Sequence, residues 1–190
     1  MVNGEAEYEK CKKGNSVKNF YDWLEALITA LIIVSFLFSF VLRIINVSGP
    51  SMLPNFHSGD RVVLMSGFYH PKQGDVVVIT HTQRLNEPII KRVIAVGGQS
   101  VNIDFNKGTV LVDGKGLDES SYIQNGITTQ PSDYKFPMTV PKGYIFVLGD
   151  NREVSDDSRS KDVGMVDERY VLGKAELIIF PAANFGLVKK

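Results

Sequence analysis

Cysteine is nearly missing from this chain: Cys11 is the single one in 190 residues. One thiol cannot form an internal disulfide, so the fold must be held by packing. Cys11 precedes the hydrophobic block, and the cysteine-free remainder suits an oxidising or a reducing compartment. Cys11 itself reads as an inert thiol, a lipidated or reactive one being the alternative. A charge excess of either sign is also absent. Lys plus Arg is 21 and Asp plus Glu is 21, whereas a nucleic-acid binder shows a basic surplus. No HxxxH or CxxC spacing occurs, so no metal site is expected. Nor is there an internal repeat or a low-complexity tract.

What is present is unevenly spread. Hydrophobic residues make up 44% of the chain, and a large share sits in one block. Ala26 to Leu42, ALITALIIVSFLFSFVL, carries no charge. At about 1.5 Å rise per residue it spans roughly 26 Å, close to a bilayer's hydrocarbon core of about 30 Å. Arg43 can snorkel outward, and Ile44 and Ile45 prolong the apolar surface. Tyr21 and Trp23 stand at the entry edge, where an aromatic belt lies. A cleaved signal peptide has a shorter apolar core and a small-x-small site. A buried soluble helix would show a polar stripe, and only Thr29, Ser35 and Ser39 interrupt this one. A single transmembrane helix is therefore expected over 26–45, with 1–25 as a tail and 46–190 as a separate domain. Lys10, Lys12, Lys13 and Lys18 flank the block on one side, against Arg43 on the other. The positive-inside rule then puts the N-terminus in the cytoplasm and 46–190 outside.

Beyond the block the chain reads as short β-branched runs divided by turn signals. Strands are expected at Arg61–Leu64, Asp75–Thr80, Ile89–Val96, Val101–Phe105, Thr109–Val112, Tyr144–Leu148 and Lys174–Phe180. The 17 Gly and 8 Pro fit many turns. This spacing implies a mainly β domain with a barrel-like or sandwich core. Asp118–Pro137 is polar and irregular, and is expected to be a loop or small subdomain over the core.

Three stretches carry chemistry. Lys91 lies in EPIIKRVIAV, between apolar residues. A lysine there either faces water from an edge strand or is buried; burial disfavours the ammonium and lowers its pKa, and a neutral amine is a capable general base. Ser51 lies in VSGPSMLP. A serine hydroxyl is a weak nucleophile that needs a base. Pro50 and Pro54 restrict the backbone around it, although a turn serine has the same look. The third stretch is LGDNREVSDDSR, Leu148 to Arg159. A Ser-His-Asp arrangement using His57, His70 or His81 with Asp60 or Asp75 is the competing constellation, but all three histidines read as surface residues.

The ordered set of apolar anchor, SGPSMLP, GDRVVL, KRVIAVGG and GDNREVSDDSR resembles bacterial type I signal peptidase, in the small single-anchor form of Gram-positive bacteria. The resemblance runs from about Ala26 nearly to the C-terminus, and Gly149–Arg159 matches the family's GDNRxxSxDSR pattern in full. It implies a signal-peptidase-like β fold and a serine endopeptidase that removes signal peptides from exported preproteins. Ser51 would be the nucleophile and Lys91 the general base. Ser155 would hydrogen-bond the Lys91 amine, Asp157 would pair with Arg159, and Asp150 with Arg92. Gly49 stands where relatives carry a hydroxyl for the oxyanion, so that donor would be a backbone N–H or water. Val47, Met52 and Ile90 would line shallow pockets selecting small residues at −1 and −3, with the substrate lying extended beside them. The implied partners are preproteins and the lipid bilayer, with no cofactor, metal or nucleic acid. Asn55 stands where the family usually has Thr, and AVGGQ where it often has PGD; a local adjustment is expected. Leu42 to Ser51 reaches at most roughly 30 Å extended, so the site would lie near the outer membrane surface. A soluble self-cleaving Ser/Lys protease and a catalytically silent homologue are the rival readings, and general secretion is not separable here from a specialised role.

Overall fold

The structure is a computed structural model that describes residues 3–67, 69–85, 87–123 and 127–189. It divides into Met1–Val41 and Leu42–Lys190. Side chains before Lys18, Cys11 among them, lie outside the described residues.

The first unit is one helix, α1 (Asn3–Phe40). Within it Lys18–Phe36 has a mean hydropathy of 1.3 and none of that stretch is buried. Phe20, Trp23, Leu31, Ile33 and Phe36 all stand exposed. This stretch is long and apolar enough to cross a membrane. Its end differs from the expected boundary at residue 45. The helix stops at Phe40, and Leu42–Asn46 form strand β1. Tertiary pairing decides this: the backbone there is taken up by a neighbouring strand, from Leu42 opposite Met65 to Asn46 opposite Arg61.

The second unit is mainly β, as expected. After β1 come β2 (Arg61–Met65), β3 (Val76–Ile79), β4 (Ile89–Val96), β5 (Ser100–Asp104), β6 (Thr109–Val112) and β7 (Lys115–Gly116). Then follow β8 (Met138–Thr139), β9 (Tyr144–Leu148), β10 (Val166–Asp167), β11 (Val171–Phe180) and β12 (Gly186–Leu187). One sheet of eight strands runs β1-β2-β11-β3-β4-β9-β10, with β12 on β11; a second of four runs β7-β6-β5-β8. The strands expected at Ile89–Val96, Thr109–Val112 and Tyr144–Leu148 have those bounds. The very short strands carry too little alternation to announce themselves in sequence.

Apolar side chains form three clusters. Val47, Met52, Phe56, Val62, Leu64, Ile90 and Ile178 share one. A second joins β5 and β6 to Ile94, Phe146 and Leu148, and a third joins Val77, Val93, Ile145 and Val163. β4 contributes to all three, so it is covered on both faces. That coverage buries two consecutive cations, Lys91 and Arg92.

Asp118–Pro137 contains no helix or strand among its described residues; Gln124–Gly126 lie outside them. It is nevertheless tied down, since Glu119, Tyr122, Ile123 and Thr128 are buried.

Candidate active site

Alternation along a strand sends neighbouring side chains to opposite faces. In β4 this separates Lys91 from Arg92. The Lys91 ammonium nitrogen lies 2.8 Å from Ser51 Oγ. Lys91 is 4% exposed. Burial pushes its pKa below the usual lysine range, while the carboxylates of Asp157, Asp156 and Asp150 oppose that push. The edge-strand alternative for this lysine is thereby excluded.

Ser51 sits in a turn after Gly49, whose φ of +86° is the left-handed region that a side chain disfavours. The Pro50 carbonyl accepts from Leu53 N at 3.2 Å and from Asn151 Nδ2 at 3.2 Å. The Ser51 carbonyl accepts from Asn151 N at 3.0 Å. In a trans peptide the N–H points away from the preceding carbonyl. The Ser51 N–H is therefore turned away from the Asn151 side, and no acceptor takes it up among the described residues.

Gly149 explains why the 149–159 segment can lie so close. A Cβ there would collide with the Ser155 side chain and the Ser51 carbonyl. The Gly149 N–H donates to Asp157 Oδ2 at 3.0 Å. Asp157 in turn holds Arg159 with two bonds, Nε to Oδ1 at 2.8 Å and Nη2 to Oδ2 at 2.9 Å. The Asp157–Arg159 pairing expected from sequence is therefore present.

So is the pairing of Asp150 with Arg92. Nε and Nη2 of Arg92 each lie 2.7 Å from an Asp150 oxygen, and both side chains are fully buried. The remaining nitrogen, Nη1, donates to Gly74 O at 3.0 Å and to Lys189 O at 2.9 Å. The Tyr122 ring covers the guanidinium at 4.0 Å. Asn55, the departure from the family pattern, donates Nδ2 to Asp150 at 2.8 Å and to the Tyr122 carbonyl at 2.6 Å. Its amide carries two donors where a threonine hydroxyl carries one.

One expectation is corrected. Ser155 makes no hydrogen bond to Lys91: its Oγ is buried without a partner, and Lys91 donates to Ser51 instead. The cause is its seat over Gly149, against the Ser51 carbonyl. Val47, Met52 and Ile90 are 4%, 1% and 7% exposed and pack into one cluster. Their side chains are largely covered by each other and by the core.

The histidine alternative has no geometry behind it. His57, His70 and His81 are exposed. Asp60 accepts from the His57 backbone N–H and from Asn184 Nδ2, and Asp75 pairs with Tyr69 and Lys174.

Sequence reading missed Glu119, Tyr122, Thr128 and Arg152. Arg152 Nη1 lies 3.0 Å from Glu119 Oε2 and 2.6 Å from Thr128 Oγ1. Glu119, Tyr122 and Thr128 sit in a polar, aperiodic stretch, where no local pattern separates a buried carboxylate from a solvated one, and Arg152 lies within GDNREVSDDSR, where its partner could not be read.

A buried amine of lowered pKa within hydrogen-bond reach of a serine hydroxyl is an arrangement able to support acyl transfer. Among the described residues no cluster of His, Cys, Asp and Glu could hold a metal ion.

A family model described as "Signal peptidase, peptidase S26" matches residues 20–180. The chain is 34% identical to "Probable signal peptidase I-1" of Synechocystis sp. over 171 residues, 84% of this chain and 82% of that one. It is 32% identical to "Signal peptidase I P" of Bacillus subtilis subsp. natto over 183 residues, 91% of this chain and 94% of that one. A crystal structure of a signal peptidase I from Enterococcus faecalis matches with 29% identity and a TM-score of 0.46, covering 57% of this chain and 98% of the other.

Proposed function

The chain belongs to the S26 family of signal peptidases, and we propose that it is a membrane-anchored serine endopeptidase that removes signal peptides from exported preproteins, with Ser51 as nucleophile and Lys91 as general base. The observation that carries this reading is the 2.8 Å contact between Lys91 Nζ and Ser51 Oγ, made by a lysine whose burial favours the neutral amine.

Ser51 Oγ attacks the scissile carbonyl as its proton passes to the Lys91 amine. The tetrahedral oxyanion takes the free Ser51 N–H, with a second donor from backbone or water because Gly49 brings no hydroxyl. Collapse breaks the C–N bond, and the Lys91 ammonium returns the proton to the leaving amine. Lys91 then takes a proton from water, whose oxygen adds to the acyl-enzyme carbonyl. Ester cleavage releases the signal peptide's carboxylate and restores Ser51.

The substrate selected has small residues at −1 and −3 and lies extended beside Val47 and Ile90. Small side chains suit a surface whose Val47, Met52 and Ile90 are already packed together. The apolar helix α1 anchors the enzyme, with the lysine-rich flank in the cytoplasm and residues 46–190 outside. Cys11 reports that orientation. A membrane-impermeant maleimide should leave it unlabelled in intact cells and label it after permeabilisation; labelling without permeabilisation reverses the topology.

The test of the activity is cleavage of a preprotein in detergent, with mass determination of both products. A cut after a small-x-small sequence that disappears in Ser51→Ala supports the reading. No cut by the wild-type protein identifies a silent homologue instead.

A further inference from the structure

The irregular stretch between β7 and β8 holds a carboxylate that the proposed chemistry does not use. Glu119 is 6% exposed and Arg152, its partner, is 3% exposed. Glu119 takes both terminal nitrogens of the Arg152 fork, accepts the Tyr122 hydroxyl at 3.1 Å, and lies beside Thr128 Oγ1 on the same guanidinium. None of Glu119, Tyr122, Ile123 or Thr128 belongs to the three apolar clusters. Glu119 and Thr128 instead meet the 149–159 segment through Arg152.

We propose that Glu119 is a positioning residue for peptide hydrolysis: through Arg152 it clamps Gly149, against which the Ser51 carbonyl is seated, and the turn Glu119–Ile123 is a brace and not a gate. The proposal rests on the Ser51/Lys91 reading. Arg152 Nε donates to Gly149 O at 2.9 Å, while Asp157 holds the Gly149 N–H. The Arg152 carbonyl also accepts Arg159 Nη2 at 2.8 Å, which aims Arg159 at Asp157. The backbone N–H and C=O of Gly149 are thus each held by a member of an ion pair, and Glu119 neutralises one of the two arginines. Two residues on, Asn151 N holds the Ser51 carbonyl.

The same turn of the stretch reaches the other buried pair. Glu119 O accepts from Tyr122 N at 3.1 Å and Ile123 N at 3.0 Å, so the turn closes on itself. Its Tyr122 then caps Arg92 and takes Asn55. A single rigid turn touches both ion pairs that flank the serine and lysine.

Without the Glu119 charge, Arg152 is a buried cation whose nearest remaining carboxylate is not its own. Redirecting it releases Gly149 O and loosens the seat of Ser51. Misplacing a reacting group by about 1 Å can cost on the order of 10²-fold in rate.

The experiment compares Glu119→Gln, Glu119→Asp and Thr128→Val with wild type in kcat, KM and thermal melting, using one preprotein in detergent. Asp118→Asn, an exposed neighbour, is the control. Glu119→Gln should lower kcat by about 10²-fold with KM changed by less than about threefold, the split expected when only transition-state geometry suffers. Glu119→Asp should recover part of kcat, and Asp118→Asn should match wild type. A folded Glu119→Gln with wild-type kcat overturns the proposal. So does a loss no larger than its unfolded fraction, which would make Glu119 merely structural. If Glu119→Gln does not fold, Thr128→Val decides in its place: wild-type kcat in that folded variant overturns the clamp, and a fall in kcat without a fall in melting temperature supports it. Cleavage that survives Ser51→Ala defeats the underlying activity instead, whatever Glu119 does.

Discussion

Lys91 Nζ and Ser51 Oγ meet at 2.8 Å although 40 residues separate them in the chain. The contact joins a turn after β1 to the middle of β4. β4 is covered on both faces, so the Lys91 amine is largely shielded from water and has the serine oxygen as its partner. Everything proposed about catalysis turns on this pair.

Replacing either member should abolish turnover. Ser51→Ala removes the attacking oxygen, and Lys91→Ala removes the group that takes its proton. Each purified variant should cleave preprotein at less than about a hundredth of the wild-type rate, the scale of a lost general base. Rapid cleavage by Lys91→Ala would assign the base elsewhere.

Activity should rise with pH as Lys91 loses its proton, with a midpoint below the ordinary lysine value of 10.5 because burial disfavours the charge. Asp156 opposes that effect, its carboxylate favouring the ammonium. Asp156→Asn should therefore move the rising limb of the rate profile to lower pH. Movement to higher pH would contradict the electrostatic account.

The same burial makes a stability prediction with a definite sign. A lysine whose folded pKa is depressed binds its proton more weakly folded than unfolded. The folded state is penalised fully below the folded pKa, and the penalty fades as pH rises towards 10.5. Lys91→Met should therefore raise the melting temperature at neutral pH, and the gain should shrink as the buffer becomes more alkaline. A gain that grows with pH would refute the linkage.

Arg92 and Asp150 are a fully buried pair. Asp150→Ala leaves an uncompensated guanidinium and should cost about 3–5 kcal/mol in urea unfolding. The double variant Arg92→Met with Asp150→Leu should be less destabilised than the single one, since both charges go together. Equal or greater loss in the double variant would show that the pair is net stabilising.

The C-terminal segment should matter to the same cation. Lys189 O accepts from Arg92 Nη1, and Val188 N fixes the tail to Glu176 O at 3.0 Å. Removing the chain from Val188 onward should destabilise the domain by about 1.5–3 kcal/mol, the range for a hydrogen bond to a charged group. An unchanged urea midpoint would show that water replaces the carbonyl without loss.

Much of this molecule was legible in order along the chain. The apolar run announced a helix by length and by lack of charge. β-branched runs such as IIKRVIAV and TVLV announced strands, because period and side-chain shape are local properties. SGPSMLP, KRV and GDNREVSDDSR stood out by resemblance, and the Asp157–Arg159 contact is nearly local in the chain. The remaining decisions are non-local. Pairing with β2 ends the helix at Phe40 and turns Leu42–Asn46 into strand. Packing puts Val47, Met52 and Ile90 into the core and seats Ser155 over Gly149 with its hydroxyl unpartnered. Glu119 looked like any other acid in a polar stretch until the fold set Arg152 against it. Sequence alone determined which residues could form helix, strand and motif, since those follow from each residue's shape and its near neighbours. Only the tertiary structure decided which lysine is dry and which carboxylate holds which arginine, because desolvation and ion pairing depend on what lies across the fold.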